Sequence, residues 1–202
     1  MNIIVQKVEP FSDPETVRGI VAAYQRTFGG EPWNEGYVCP VCGEIFPLAK
    51  MDILCPSCTA QGRAVLLTEY WPTSKVTSDF YREMEKPEAL CFVAKDDDAI
   101  VGFIWGYRMV VDEHIDDHLE SPGLSQLIDG SFFYLDDAAV IPEYQGKGIG
   151  KQLVARMIQE QPQKNILGRT LDQSRMFRIL TGFNGKTVLH ITRNRVIMAI
   201  FQ

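Results

Sequence analysis

Residues 132–159 constrain the fold more than any other part of the chain, because three structural signals follow one another there without interruption. An apolar run of strand length comes first and ends before Pro142. A loop with a glycine at every second position then spans residues 145–150, and apolar residues recur at positions 149, 153, 154, 157 and 158, which is the period of an amphipathic helix. The stretch therefore predicts a strand, a glycine loop and a helix in direct succession.

This order of elements favours the binding of a phosphate group. The first turn of a helix has unpaired N–H groups and a partial positive charge, and both attract anions. Glycines allow the backbone to approach an anion without interference from a Cβ atom. We therefore expect the loop and the first helical turn to cradle a phosphate.

Four of the five cysteines form two Cys-x-x-Cys pairs, Cys39 with Cys42 and Cys55 with Cys58. Two intervening residues let both sulfurs of a pair reach one tetrahedral ion from a tight turn, and two such pairs complete a four-thiolate zinc site. Because all four positions would be filled by thiolate, the metal would be structural. The pattern predicts an inserted zinc ribbon over residues 36–64.

The formal net charge of -6 hides an uneven distribution along the chain. Residues 1–108 have 10 basic and 15 acidic side chains, residues 109–146 have 9 acidic and no basic ones, and residues 147–202 have 10 basic and 2 acidic ones. The basic surplus begins at the glycine loop and suits a polyanionic ligand, whereas the acidic run before it suits a cationic one. The charges of the predicted ribbon cancel, which argues against nucleic acid as a partner.

The remaining elements are read from periodicity and composition. Apolar residues at 17, 20, 21, 24 and 28 predict a first helix that starts at a capping box over residues 12–15. A second helix is predicted over residues 73–86, so the ribbon lies between the first two helices. Cys91 lies in an apolar run and is expected in the core. His114 and His118 allow the hypothesis of a second metal site, against the alternative of a solvated acidic segment.

The chain resembles the GNAT superfamily of acyl-CoA-dependent N-acyltransferases. The strand end Ala139-Val140-Ile141-Pro142, the Q-x-x-G-x-G pattern of residues 145–150 and the later Gly182-Phe183 carry this resemblance, which covers most of the chain. It implies an α/β fold with a GNAT-like mixed central β-sheet flanked by helices, as a single domain over residues 1–202. It also implies acetyl-CoA as the acyl donor and an amine as the acceptor.

The resemblance further implies which residues bind the donor. A backbone N–H at Val140 or its neighbour would meet the thioester carbonyl, and the amides from Gly146 to Lys151 would hold the pyrophosphate. The expected donor-binding residues are Ala139, Val140, Gln145, Gly146, Lys147, Gly148, Ile149, Gly150 and Lys151.

Asp136 and Asp137 stand where members of this family often have a strand carboxylate that acts as the general base. Neighbouring side chains of a regular strand point to opposite faces, so only one of the two can face the cleft unless a β-bulge intervenes. Glu143 is a weaker candidate because it follows the strand. The alternative is that the inward aspartate only binds a cationic acceptor while water takes the proton.

Many members of the family place a tyrosine four residues before the late Gly-Phe pair, as the acid for the departing thiolate, and here that position is Arg178. Arginine cannot donate a proton at neutral pH, but its charge can stabilise a thiolate or a CoA phosphate. This departure keeps a second hypothesis open: an acyl-CoA-binding interaction module whose ribbon docks a partner and which has little or no catalysis.

The expected acceptor is a cationic amine, either a small molecule or a protein amine. With 46% hydrophobic residues, no apolar run of 18 residues and no secretion signal in residues 1–10, we expect a cytoplasmic protein without a membrane partner. A homodimer is compatible with the sequence.

Overall fold

The computed structural model describes residues 2–9, 13–48, 53–112, 114–161 and 164–201. Strands and helices are interspersed along the chain, with three pairs of strands in direct succession. They are β1 (Ile3–Val8), α1 (Pro14–Phe28), β2 (Tyr37–Val38), β3 (Ile45–Phe46), α2 (Pro56–Thr59), β4 (Thr68–Glu69), α3 (Thr73–Met84), β5 (Leu90–Asp96), β6 (Ala99–Val110), α4 (Ile115–His118), β7 (Ser131–Val140), α5 (Ile149–Glu160), β8 (Ile166–Leu171), α6 (Arg175–Gly182), β9 (Lys186–His190) and β10 (Arg195–Ile200).

Within the described ranges, seven strands form the central sheet in the order β1-β5-β6-β7-β8-β10-β9. Neighbouring strands are antiparallel except for β7 and β8, which are parallel. The predicted mixed sheet flanked by helices is confirmed. The parallel pair is joined by the glycine loop and α5, which is the crossover connection that parallel strands require.

Helices cover both faces of the sheet. Tyr24 of α1 stacks on Trp105 of β6, with ring centroids 5.9 Å apart. On the opposite face, a Cβ atom added at Gly102 of β6 would lie 3.4 Å from Leu153 Cδ1 of α5. Because side chains alternate along a strand, α1 and α5 lie on different sides of β6.

The helix α1 forms where its apolar period predicts. The residues at positions 17, 20, 21, 24 and 28 are all buried. Asp13 caps the helix by accepting hydrogen bonds from the N–H groups of Glu15 and Thr16 at 2.9 and 3.0 Å. Ser12, with which the predicted capping box began, lies outside the described residues.

Residues 36–48 and 53–69 form a separate small layer between α1 and α3. The strands β3, β2 and β4 make a three-stranded antiparallel sheet, and this sheet extends beyond residue 64 because β4 pairs with β2. Its core consists of Phe46 and the cysteine side chains, separate from the main core. Among the described residues, no helix is both long and apolar enough to cross a membrane.

Candidate active site

β7 runs beside β8 for only three residue pairs. Phe133, Tyr134 and Leu135 pair in parallel with residues 166–168. Beyond these pairs β7 stays with β6 while β8 stays with β10, so the two strands diverge. The divergence leaves a gap in the middle of the sheet, and backbone groups along its edges lose their strand partners.

The backbone N–H of Val140 in β7 points into this gap. The Ile141 N–H donates to the Val101 carbonyl at 3.0 Å, and Gly102 lies opposite Val140. The alternation of an antiparallel ladder then directs the Val140 N–H away from β6. The Val140 carbonyl accepts a hydrogen bond from the Gln145 side chain at 2.9 Å. The N–H predicted to meet a thioester carbonyl therefore points into the gap, and its role stays a prediction.

The glycine loop turns directly into the first turn of α5. Gly146 and Gly148 have positive φ angles of 78° and 81°, a region that favours glycine. In the described part of the chain, no backbone N–H from Gly146 to Lys151 donates a hydrogen bond to another protein group. These unpaired donors at a helix N-terminus match the requirements of a phosphate group.

A cavity of about 610 Å³ connects the gap with this loop. Its walls include Trp33 before the ribbon, Phe103 of β6, and Arg175 and Arg178 of α6. Of the nine predicted donor-binding residues, eight line it: Ala139, Val140, Gln145, Gly146, Gly148, Ile149, Gly150 and Lys151. Lys147 does not, because its ammonium lies over the Tyr144 ring, 4.5 Å from the ring centroid.

Regular strand alternation does not hold at Asp136 and Asp137, because β7 contains a β-bulge at this point, the possibility that the sequence left open. Trp105 pairs with Asp137 and Gly106 pairs with Leu135, which leaves Asp136 as the extra residue. A bulge of this kind lets two successive side chains lie on the same face. Both aspartates therefore point towards α1 and α3, at the start of the gap, and neither lines the cavity.

Asp136 is partly buried and accepts a side-chain hydrogen bond. The Trp105 indole N–H donates to its Oδ2 at 3.2 Å. Burial, followed by the negative charge of Glu83, raises the pKa of Asp136 to about 6, although the Trp105 bond acts in the opposite direction. A carboxylate with this pKa is mostly ionised at neutral pH and is a stronger base than an exposed aspartate.

Asp137 lies beside the Tyr24 hydroxyl. Burial, followed by the charge of Asp136, raises the pKa of Asp137 well above its usual value, and the interaction with Tyr24 offsets this only in part. Two close carboxylates titrate as a pair and resist double ionisation. The two carboxylates therefore resist losing both protons, and burial favours the protonated form of Asp137.

Arg178, at the position of the expected tyrosine, lines the donor cavity from α6. The side chains of Arg178 and Arg175 are both exposed. Arg175 Nη1 lies 3.4 Å from the place where a Cβ atom at Gly146 would be. Together with Lys151, these side chains give the cavity a positive wall next to the unpaired amides. The arrangement suits a polyanion.

The four predicted metal ligands, Cys39, Cys42, Cys55 and Cys58, come together. All four sulfurs lie within 4.8 Å of one another, with Sγ–Sγ distances of 3.7 Å for Cys39 and Cys58 and 3.6 Å for Cys42 and Cys55. A tetrahedral zinc ion at about 2.3 Å from each thiolate needs sulfurs about 3.8 Å apart. The donor set and its spacing therefore fit zinc.

The ribbon base, which consists of the flanking residues Glu35 and Trp71, lies beside Tyr24 of α1, and Tyr24 in turn interacts with Asp137. The Trp71 ring packs edge-on against Tyr24, with centroids 5.2 Å apart, and its indole N–H donates to Glu35 at 3.1 Å. Gln25 donates to the Trp71 carbonyl at 2.8 Å. Burial raises the pKa of Glu35, whose charge reaches Asp137. The ribbon base thus adds a carboxylate and an aromatic surface beside the acids.

The other candidates lie away from this centre. Glu143 forms an ion pair with Arg26 at 2.6 Å, and its own backbone N–H and this arginine lower its pKa, which makes it a poor base. Among the described residues only the four cysteines have metal-ligand spacing, so His114 and His118 gain no support as a second site; neighbouring Glu113 lies outside those residues. Cys91 is fully buried, as predicted.

Sequence reasoning did not find Tyr24, Trp105, Glu83 and Glu35, which surround the two aspartates. Tyr24 and Trp105 look like ordinary core residues in the sequence, and Glu83 looks like a solvated helix residue. One sequence signal points to Glu83. It falls between the apolar positions Phe80 and Met84 of a predicted helix, so this acid is expected on the buried face.

A model of the acetyltransferase (GNAT) family matches residues 54–175 of the chain. The match includes β7, the glycine loop, α5 and the second cysteine pair. No curated protein sequence matches the chain.

Solved structures resemble the chain over its full length at low sequence identity. A protein from Pyrococcus horikoshii OT3 aligns with a TM-score of 0.61 at 16% identity, covering 100% of this chain and 99% of that one. An N-acetyltransferase from Staphylococcus aureus Mu50 aligns with a TM-score of 0.56 at 12% identity, covering 100% of this chain and 99% of that one. The PaiA N-acetyltransferase from Thermoplasma acidophilum, in complex with coenzyme A, aligns with a TM-score of 0.53 at 15% identity, covering 100% of both chains. These likenesses establish a shared fold.

Proposed function

Because the chain belongs to the GNAT acetyltransferase family, we propose that it transfers an acyl group, in the first instance acetyl, from acyl-CoA to the primary amine of a cationic acceptor. The acceptor attacks the thioester directly, with both substrates bound at once. The chain is one domain in which residues 36–64 are an inserted zinc ribbon.

The observation that carries this proposal is the donor cavity. Its floor is the run of unpaired amides from Gly146 to Lys151, which suits a pyrophosphate, and its far end reaches the Val140 N–H in the gap between β7 and β8. Coenzyme A has a polyanionic end and an extended pantetheine arm with amides of its own. A basic pocket that leads to unpaired strand edges supports such a ligand.

The reaction needs a base, an electrophile and a leaving group. A carboxylate of the Asp136–Asp137 pair takes a proton from the acceptor ammonium, directly or through water, and the freed nitrogen attacks the thioester carbon. The Val140 N–H donates to the oxygen on which negative charge develops. The C–S bond then breaks, and of the two protons that the nitrogen loses, one goes to the thiolate and the other reaches solvent.

The acceptor side supports a cationic substrate. Asp136, Asp137 and Glu35 lie near one another on the α1 face of the sheet, with Tyr24 and Trp71 beside them. A substrate ammonium brought into this partly buried region would relieve the repulsion between the carboxylates. The ribbon base thereby acts as one wall of the acceptor site.

Zinc, when bound to Cys39, Cys42, Cys55 and Cys58, would cross-link the two turns of the ribbon and take no part in the reaction, since thiolates fill all four positions. The chain prepares the site with tight turns: the Gly43 N–H donates to the Cys39 carbonyl at 2.9 Å. Three of the sulfurs belong to residues that are at most 1% exposed, which protects the site from solvent.

The test is release of the free CoA thiol from acetyl-CoA against a panel of amines that differ in charge. We expect turnover with cationic amines and little with neutral ones of the same size. Tight donor binding without turnover on any amine would reject the enzymatic function.

Arg178 favours a second candidate function, an acyl-CoA-binding interaction module with a partner-docking ribbon. The guanidinium group of an arginine can bind the phosphates of CoA, whereas it cannot give a proton to the departing thiolate. Affinity capture with the intact ribbon and with a Cys39→Ala/Cys42→Ala variant separates the two functions. An unchanged set of captured partners would argue against docking.

A further inference from the structure

A row of three aromatic rings joins the aspartate pair to the ribbon base. Trp105 of β6 stacks on Tyr24 of α1 with ring centroids 5.9 Å apart, and Tyr24 packs at a steep angle against Trp71 with centroids 5.2 Å apart. The Trp105 indole N–H donates to Asp136 at 3.2 Å. The Trp71 indole N–H donates to Glu35 at 3.1 Å. One carboxylate is therefore fixed at either end of the row.

The row holds these two carboxylates at a set separation. Tyr24 is 6% and Trp105 1% exposed, so close packing keeps both rings in place. The Glu35 N–H donates to the carbonyl of Phe28 at 2.9 Å, so α1, which contains Tyr24, also fixes the ribbon base. Taken together, the two ring contacts limit the distance between the indole centroids to about 11 Å.

Glu35 has no cationic partner in the part of the chain that the structure describes. No basic side chain there forms an ion pair with Glu35 or with either aspartate. The charges of Lys75 and Arg195 reach Glu35, but the Lys75 ammonium lies over the Trp71 ring instead, 4.1 Å from its centroid. Glu35 is half-buried, and only its Oε2 accepts the indole N–H. A cationic ligand would compensate this charge.

We propose that Glu35 is a specificity-determining residue that binds a second ammonium group of the acceptor. The acceptor is then a dication whose two ammonium groups are separated by an apolar spacer. Its reacting amine lies at the aspartate pair, and its other ammonium lies at Glu35. The inference rests on the proposed acyl transfer and names the substrate class of that same site.

The surface between the two carboxylates determines what kind of spacer fits. It is made of aromatic rings, and the hydroxyl of Tyr24 interacts with Asp137. Methylene groups suit such a surface, whereas a spacer with hydrogen-bonding groups would lose the partners that it has in water. A monocation would compensate the carboxylates at one end only and would leave Glu35 without a counter-ion.

The experiment compares straight-chain diamines, from propanediamine to decanediamine, with monoamines of the same chain length, on the full-length protein. The first readout is the ratio of kcat/KM for each diamine to that of its monoamine, with acetyl-CoA as donor. The second is the indole 15N–1H resonance of Trp71 during titration with each amine without donor, because this N–H donates to Glu35.

Three variants are compared with the wild type. Glu35→Gln keeps an oxygen that can accept the indole N–H and removes the charge. Glu35→Asp keeps the charge on a shorter side chain. Glu69→Gln is the matched control, because it removes an exposed acid from β4, close in sequence to the ribbon base.

The wild type should prefer the diamine of best-fitting length to its monoamine at least about tenfold, mainly through a lower KM, since two equivalent amines alone account for only about a factor of two. Glu35→Gln should reduce this preference to about threefold or less. Glu35→Asp should retain it and move it to a longer diamine, and Glu69→Gln should match the wild type. The preferred diamine should shift the Trp71 resonance in the wild type and not in Glu35→Gln.

Equal kcat/KM values for diamines and monoamines in the wild type would overturn the inference, as would an undiminished diamine preference in Glu35→Gln. A Trp71 resonance that no diamine shifts, or that monoamines shift equally, would do the same. An equal loss of preference in Glu69→Gln would assign it to the general charge of the ribbon and not to Glu35. A diamine that shifts the Trp71 resonance only when Glu35 is present, but is not acylated, would instead reject the proposed acyl transfer and keep Glu35 as an ammonium site.

Discussion

At the scale of single residues, the two neighbouring aspartates of β7 should respond differently to the same substitution. Asp136→Asn removes the ionised carboxylate, and we expect kcat to fall about 100-fold or more. Asp137→Asn replaces a carboxyl group whose pKa is raised well above its usual value by burial and by the charge of Asp136, so less negative charge is removed and kcat should stay within about threefold of the wild type. Steady-state kinetics on both purified variants check this, and the reverse order of the two effects would make Asp137 the base.

A second residue-scale prediction concerns Arg178. Arg178→Gln should raise the KM for acetyl-CoA about tenfold while kcat changes little, because the lost contact is one between a guanidinium and a phosphate of the donor. Arg193→Gln, in the hairpin between β9 and β10, removes the same charge at a distance from the donor cavity and serves as the control. A large fall in kcat with unchanged KM would show that Arg178 stabilises the departing thiolate instead.

At the scale of elements, the glycine loop needs its left-handed backbone to present its amides. Gly148→Ala introduces a Cβ at a φ of 81°, which costs about 1–2 kcal/mol. We expect a lower melting temperature and weaker CoA binding, measured by differential scanning fluorimetry and calorimetry. Gly182→Ala, at the end of α6 where an added Cβ meets nothing within 4 Å, is the matched control and should change neither.

The elements also show which parts of the site could be predicted from the sequence. The glycine loop, α5 and the cysteine pairs are local patterns, in which the spacing of a few residues determines the geometry, and their side chains lie where the spacing suggested. The bulge in β7 is not local. It arises where Asp136 has no partner on β6, opposite Trp105 and Gly106, and no property of the Asp-Asp pair announces it.

The residues that approach the aspartates from distant elements could not be predicted from the sequence for the same reason. Glu83 and Tyr24 approach the aspartates because α3 and α1 pack on one face of β6 and β7, and the sequence separation between them and the pair gives no sign of this. One helix end differs slightly from the prediction: the second predicted helix ends at Met84 and not at residue 86.

At the scale of the whole molecule, the ribbon and the catalytic sheet should be coupled through the acceptor site. Glu35 and Trp71 flank the ribbon, and backbone hydrogen bonds hold both flanks in place: the Glu35 N–H donates to the carbonyl of Phe28 in α1 at 2.9 Å, and the N–H of Tyr70, next to Trp71, donates to the Gly36 carbonyl at 3.0 Å. Loss of the metal should loosen these ends. The donor cavity is built mostly from β7, α5 and α6 and should be affected less.

We therefore predict that the Cys39→Ala/Cys42→Ala variant loses zinc, as measured by elemental analysis, and raises the KM for the amine at least about fivefold while CoA affinity changes less. A Cys91→Ala variant removes a cysteine of the main core, outside the ribbon, and should keep its zinc. Full zinc content in the double variant would contradict the metal site, and equal losses of donor and acceptor binding would contradict the ribbon as an acceptor wall.

The central claim is that this chain joins an acyl group from CoA to a cationic amine in the gap between β7 and β8. Its most direct test is mass spectrometry of a diamine incubated with acetyl-CoA and the purified protein. The expected result is an acceptor that has gained one acetyl group, with an equal amount of free CoA, and about 100-fold slower formation of this product with Asp136→Asn. An unchanged diamine and intact acetyl-CoA, in the presence of wild-type protein that binds CoA, would contradict the claim.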